Sequence, residues 1–189
     1  MAIVIVKGRF GFTNALFNAR QFNGAGPFTY SGSVLIEKGS DEAKLVTQEI
    51  EKVAKEAWGA RSAAILEGIR GNSMKFCYVP GDTKTNENYH GMMVLTAKRA
   101  DKHGHPKIVD RNPQVELSVT DGKPYAGSYG KLKVDIWAQK EAPHGPAIRA
   151  TLIAAQFLED GEAFSPTGPA SADGFKDEGD DPNAASSLI

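Results

Sequence analysis

The segment Lys123–Trp137, KPYAGSYGKLKVDIW, constrains the fold more than any other stretch of the chain. Its residues alternate. Ala126, Ser128, Gly130, Leu132, Val134 and Ile136 fall on one side of an extended backbone, while Tyr125, Gly127, Tyr129, Lys131, Lys133, Asp135 and Trp137 fall on the other. The period of two predicts a strand with one small or apolar face and one aromatic and basic face. A half-buried antiparallel strand normally shows water a mixture of charges and hydroxyls, so a face of exposed rings needs a purpose. Two readings follow. Unpaired bases can stack on the rings while ammonium groups meet the phosphates between them. Alternatively, a second layer of protein covers the rings, with Asp135 pairing a lysine.

The surrounding sequence predicts more strands than helices. Its 20 Gly and 10 Pro supply many turns. A first strand spans Ile3 to Phe12, with Val4, Val6, Phe10 and Phe12 on one side and Ile3, Ile5, Lys7 and Arg9 on the other. Gly8 and Gly11 are positions for a bend or bulge. The next piece, TNALFNARQFNGAGP, lacks a sustained period and reads as a loop; its Phe17, Arg20 and Phe22 either reach over a groove or seal the core edge. Phe28 to Glu37 is a second strand. After Gly39, Ser40 reads as an N-cap, and Val46, Ile50, Val53, Ala54, Ala57 and Trp58 recur at helical spacing, so residues 41–58 form an amphipathic helix with Trp58 in the core. A shorter helix follows over Arg61 to Ile69.

Further strands are expected over Met74 to Val79, Met92 to Lys98, more weakly Pro113 to Asp121, and Ala147 to Leu158 as the closing strand. The polar loop before Met92 carries Lys84 and Tyr89. Lys98, Arg99, Lys102 and Lys107, followed by Arg111, concentrate positive charge suited to phosphate contact.

Charge is divided along the chain. Residues 1–158 hold 21 Lys and Arg against 15 Asp and Glu, a net +6, whereas residues 159–189 set Lys176 against eight acidic residues, a net −7. A basic body with an acidic end points toward nucleic-acid contact. The last part, rich in Pro, Gly, Ser and Asp, cannot bury enough apolar surface to fold alone. The chain therefore divides into a folded unit, 1–164, and a flexible acidic tail, 165–189.

Several chemistries lack their residues. The single cysteine, Cys77, excludes an internal disulfide and a Cys-based metal cage. His90, His103 and His105 have no nearby carboxylate cage in sequence. No phosphate-binding lysine loop, dinucleotide fingerprint, calcium loop or nucleophile elbow occurs. No metal or cofactor is expected, nor an enzyme. No apolar run reaches membrane-spanning length, and the start AIVIV is too short for a signal-peptide core, so a soluble intracellular protein is expected.

FTNALFNARQF, GMMVLTAKR and above all PYAGSYGKLKVDIWAQ, followed by the closing strand and LEDGEAF, resemble the bacteriophage single-stranded DNA-binding proteins with an OB-fold, over most of residues 3–163. The resemblance implies a mainly β architecture: a five-stranded barrel with an α-helical insertion and a disordered acidic C-terminal tail. It also implies coating of single-stranded DNA during phage replication, recombination or repair in the cytoplasm of the infected bacterium. The acidic tail would recruit replication proteins such as a polymerase or helicase, although this chain ends in AASSLI without the final aromatic of many such tails.

On this reading, the DNA-contacting residues are Tyr125, Tyr129, Lys131, Lys133 and Trp137, with Lys98, Arg99, Lys102, Lys107, Arg111, Lys7, Arg9, Arg20, Phe22 and Tyr89. Asp173, Asp177, Glu178, Asp180 and Asp181 form the partner-binding tail. The tail is also expected to compete with DNA for the groove. A homodimer is left open. The alternatives are a phage structural or assembly protein with the aromatic strand in a subunit interface, and a magnesium nuclease with carboxylates assembled in space.

Overall fold

Backbone pairing turns the alternating segments into one sheet that closes on itself. The computed structural model describes residues 2–140 and 144–164. Among them the order is β1 (Ala2–Phe22), β2 (Ala25–Glu37), α1 (Asp41–Trp58), α2 (Ser62–Ile69), β3 (Tyr78–Pro80), β4 (Met92–Ala100), β5 (Lys107–Val109), β6 (Tyr129–Gln139) and β7 (Ala147–Glu159). β1 pairs antiparallel with β2 and β6, β2 with β4, and β6 with β7. A parallel contact between Lys98 of β4 and Thr151 of β7 completes the ring β1–β2–β4–β7–β6. The five-stranded barrel with a helical insertion is thus present, with β3 and β5 as short additions to β4 and β7.

The barrel interior follows from period-two burial. Leu132, Val134 and Ile136 of β6 are fully buried with Val6, Phe10, Val34, Leu95, Ile148 and Leu152. Tyr129, Lys131 and Asp135 are half-buried, and Lys133 and Trp137 are exposed. Gly130 is small for a specific reason: an added Cβ would lie 2.2 Å from the Gln156 carbonyl oxygen and 2.3 Å from the Phe10 ring. α1 has the expected bounds. The Ser40 hydroxyl accepts from the Ala43 N–H at 3.2 Å, Asp41 and Glu42 occupy the first turn, and Val46, Ile50, Val53, Ala54 and Trp58 are buried against the barrel.

Four sequence expectations need correction. TNALFNARQF is no loop but the continuation of β1, joined to β2 by Asn23 (φ 51°) and Gly24 (φ 70°), with Phe22 opposite Ala25. A two-residue Asn-Gly turn with both residues left-handed matches the twist of a hairpin. Register shifts between Phe10 and Phe12, Phe12 and Ala15, and Ala15 and Arg20 hide its period, and the first turns Phe12 outward.

Residues 113–121 are no strand. Leu117 is buried there, but Val115 and Val119 are exposed, and Ser118 and Asp121 close a short 3₁₀ turn. The strand in this region is β5, earlier in the chain at Lys107–Val109. Of the strand expected over Met74 to Val79, only Tyr78 and Val79 enter a strand, β3, and Phe76 makes a single bridge to Ile148. Finally, β6 begins at Tyr129. Tyr125 to Ser128 form a turn held by the Ser128 hydroxyl donating to the Tyr125 carbonyl at 2.6 Å.

Candidate nucleic-acid interface

The strand pairing sorts outward-facing residues into rows. Along β6, Tyr129 stands opposite Arg9, Lys131 opposite Lys7, and Lys133 opposite Ile5 of β1. Across the other edge, Trp137 stands opposite Arg149 of β7, and Asp135 opposite Thr151. Thr151 is also the partner of Lys98, which pairs in turn with Ser31 of β2. An outer face therefore runs from β6 over β7 to β4 and β2, with rings and cations at its margins.

Trp137 is 41% exposed, and its orientation is fixed because indole Nε1–H donates to Thr151 Oγ1 at 3.1 Å. Beside it, Arg149 donates from Nη1 to the Met74 carbonyl at 2.6 Å and from Nε to Gln139 Oε1 at 3.4 Å. Lys98 is exposed, yet its ammonium is held below the ordinary lysine range, first by desolvation within the groove and then by the charges of Arg149 and Lys84. None of these three cations has a carboxylate partner among the described residues. The Phe22 ring, 64% exposed at the hairpin tip, lies 5.9 Å from Lys98 Nζ. Like charges gathered without an ion-paired acid among the described residues, near two exposed rings, suit a polyanion carrying flat groups.

A second cluster is packed more tightly. The Arg9 guanidinium lies 5.3 Å from the centroid of Tyr129 and 4.5 Å from that of Phe164. Its Nε donates to the Gly127 carbonyl at 2.8 Å and its Nη2 to the Glu162 carbonyl at 2.7 Å. These contacts bind residues 160–164 across the mouth of β6 as a strap. Tyr129 rests one edge against Gly161 and stays half-exposed. Tyr125 is occupied by the same strap: its hydroxyl lies 2.8 Å from Asp160 Oδ1 and accepts from the Gly161 N–H at 3.1 Å. Burial, and next the Asp160 contact, raise that phenol above its ordinary range. The Tyr89 ring covers Gly11 and lies 6.3 Å from Phe164.

The expected site residues thus divide. Trp137, Lys98, Lys133, Lys7 and Phe22 are exposed and Lys131 is half-buried, and none of these lysines has an ion pair among the described residues. Arg20, Lys102 and Arg111 are exposed; Arg20 stands opposite Thr29, and Lys102 and Arg111 lie outside the strands. Arg9, Tyr125 and Tyr89 support the strap. Arg99 is used structurally: its guanidinium donates to the carbonyls of Gly104 at 2.7 Å, Leu152 at 3.5 Å and His103 at 2.5 Å. Lys107 is paired with Glu116 at 2.8 Å. Asp173, Asp177, Glu178, Asp180 and Asp181 lie outside the described residues.

Arg149, Thr151 and Thr96 were not singled out from sequence. A lone arginine in the otherwise apolar run AIRATLIAA was the available signal, since a charge there must face outward.

Comparison with known proteins gives a consistent result. Residues 1–185 match the family described as Enterobacter phage Enc34, ssDNA-binding protein. A curated relative, putative protein p50 of Acyrthosiphon pisum secondary endosymbiont phage 1, is 33% identical over 164 residues, 86% of each chain. Among solved structures, the single-stranded DNA-binding protein of bacteriophage Enc34 in complex with ssDNA superposes with a TM-score of 0.69 at 20% identity, covering 87% of this chain and 90% of that one. Bacteriophage T7 gp2.5, a single-stranded DNA-binding protein, gives 0.58 at 17% identity, covering 90% and 99%. At these identities the structural likenesses establish the fold.

Proposed function

We propose, since the chain belongs to the single-stranded DNA-binding protein family of Enterobacter phage Enc34, that it binds single-stranded DNA non-enzymatically and with little dependence on sequence. The observation that carries this reading is the exposed Trp137, locked to Thr151 and flanked by Lys98 and Arg149, which have no ion pair among the described residues. Bases stack on Trp137, with Tyr129 and Phe22 as further platforms. Phosphates meet Lys98, Arg149, Lys131, Lys133 and Lys7. Each stacked base contributes on the order of 1–3 kcal/mol. The OB architecture supports this placement, because oligonucleotides lie across its second and third strands, here β2 and β4, and the loops joining strands 1–2 and 4–5.

In this reading, the protein coats DNA exposed during phage replication, recombination or repair in the host cytoplasm. The net −7 of residues 159–189 competes for the groove at low salt, and its displacement by DNA frees it for a replication protein. A gel-shift titration with single- and double-stranded oligonucleotides, with and without magnesium, tests the proposal. Shifting of single strands without loss of DNA over time supports it. Absence of a shift together with stable oligomers favours a structural or assembly protein, and magnesium-dependent loss of substrate favours a nuclease.

A further inference from the structure

Between Trp137 and the seam of β4 with β7 lies a pocket of about 140 Å³, lined among others by Ser73, Thr96, Lys98, Arg149 and Thr151. We propose that it is a subsite for one pyrimidine nucleotide of the bound strand, with the ring beside Trp137 and the phosphate between Lys98 and Arg149. The inference rests on the single-stranded DNA reading and adds a base preference at one position.

Size comes first. A protein cavity of about 150 Å³ holds benzene, so this open pocket matches one six-membered ring and gives the second ring of a purine no wall to pack on. The walls supply the matching chemistry. Thr151 Oγ1 is already an acceptor for Trp137, so its proton remains available to donate. Among the described residues, the Ser73 and Thr96 hydroxyls have no side-chain hydrogen bond. Three hydroxyl-bearing residues lining one small pocket suit the O2 carbonyl that cytosine and thymine share.

The charge at the pocket points the same way. Arg149 is oriented by the Met74 carbonyl and Gln139, and Lys98 feels both Arg149 and Lys84 as like charges. One phosphate between Lys98 and Arg149 replaces that repulsion with two charge-assisted contacts. The indole, fixed by Thr151, is one wall and needs no reorganisation to receive a ring.

The test compares oligothymidylate with oligodeoxyadenylate of equal length by fluorescence anisotropy. The parent and two variants are used: Thr96→Leu, which fills the pocket, and Arg149→Gln, which removes the charge. Thermal melts verify that both variants fold. The expected result is a preference for thymidylate of about tenfold in the parent, falling to about twofold or less in Thr96→Leu. Arg149→Gln should lose about tenfold on thymidylate and less on adenylate. Equal binding of the two strands by the parent overturns the subsite while leaving the single-stranded DNA reading intact, as does a preference that survives in both folded variants. Failure of the parent to bind either strand overturns that reading itself.

Discussion

Lys98 of β4 and Thr151 of β7 are direct partners in the parallel contact that closes the barrel. The same contact sets Lys98, which has no ion pair among the described residues, at the strand position beside Thr151, whose hydroxyl holds Trp137. Closure of the barrel also assembles the candidate groove: without the seam, β4 and β7 lie toward opposite ends of the sheet order, and Lys98 is parted from Thr151 and Trp137.

Lys98 carries a folding penalty in the free protein. Its lowered pKa means that the charged form is disfavoured on folding, first by desolvation and then by Arg149 and Lys84. Below the folded pKa both states keep the proton and the penalty is fully present. As pH rises from the folded pKa to the unfolded one, the unfolded chain holds more protons, and stability increases. Lys98→Gln should therefore raise the melting temperature at neutral pH, with the gain shrinking in the alkaline lysine range, and should weaken oligonucleotide binding. Calorimetry across pH and an anisotropy titration check the two halves.

Stacking and charge separate by salt. Lys131 faces Lys7 across β1 and β6 with no acid between them in register, so Lys131→Ala should lower the slope of log affinity against log salt by about 0.7. Tyr129→Ala should weaken binding at every salt concentration by about 1 kcal/mol, the low end for a stacked ring, because Gly161 already covers one edge. Titrations at several salt concentrations distinguish the two; an unchanged affinity for Tyr129→Ala removes that ring from the interface.

Trp58 is 8% exposed, and its buried indole nitrogen has no hydrogen-bond partner among the described residues. Trp58→Phe removes that orphan donor while keeping most of the packing, so it should cost under about 1.5 kcal/mol, against about 3–5 kcal/mol for Trp58→Ala. Urea unfolding measures both. The Phe variant leaves Trp137 as the sole tryptophan, and oligonucleotide addition should quench its emission.

Cys77 is partly exposed as a residue, but burial of the thiol pushes its pKa up to about 12. Little thiolate exists near neutral pH, so alkylation by iodoacetamide should be slow in the native protein and rapid after denaturation. Fast native labelling would place the sulfur in a more open setting. Because Cys77 lines the Trp137 pocket, oligothymidylate should slow native labelling further.

Much of this was legible in the sequence, for identifiable reasons. β6 and α1 carry undisturbed periods, and Leu132, Val134, Ile136, Val46 and Ile50 landed in the core as their spacing required. The β1–β2 hairpin was missed because bulges around Gly11 and Ala15 break the alternation, although Asn23-Gly24 marked its turn. The site was half legible. Trp137 and Lys98 are exposed as expected, whereas the acceptors of Arg9 and Arg99 are carbonyls of distant loops that no local pattern encodes. Arg149 reaches the groove only through the register of β7 against β6.

Photocrosslinking with a single-stranded oligonucleotide bearing 5-iododeoxyuridine tests the central claim most directly, because adducts form on the rings against which bases lie. The account predicts adducts on Trp137 foremost and on Tyr129 or Phe22 as well, lost from Trp137 in Trp137→Ala. Adducts confined to α1 and α2, with none on β6, would contradict it.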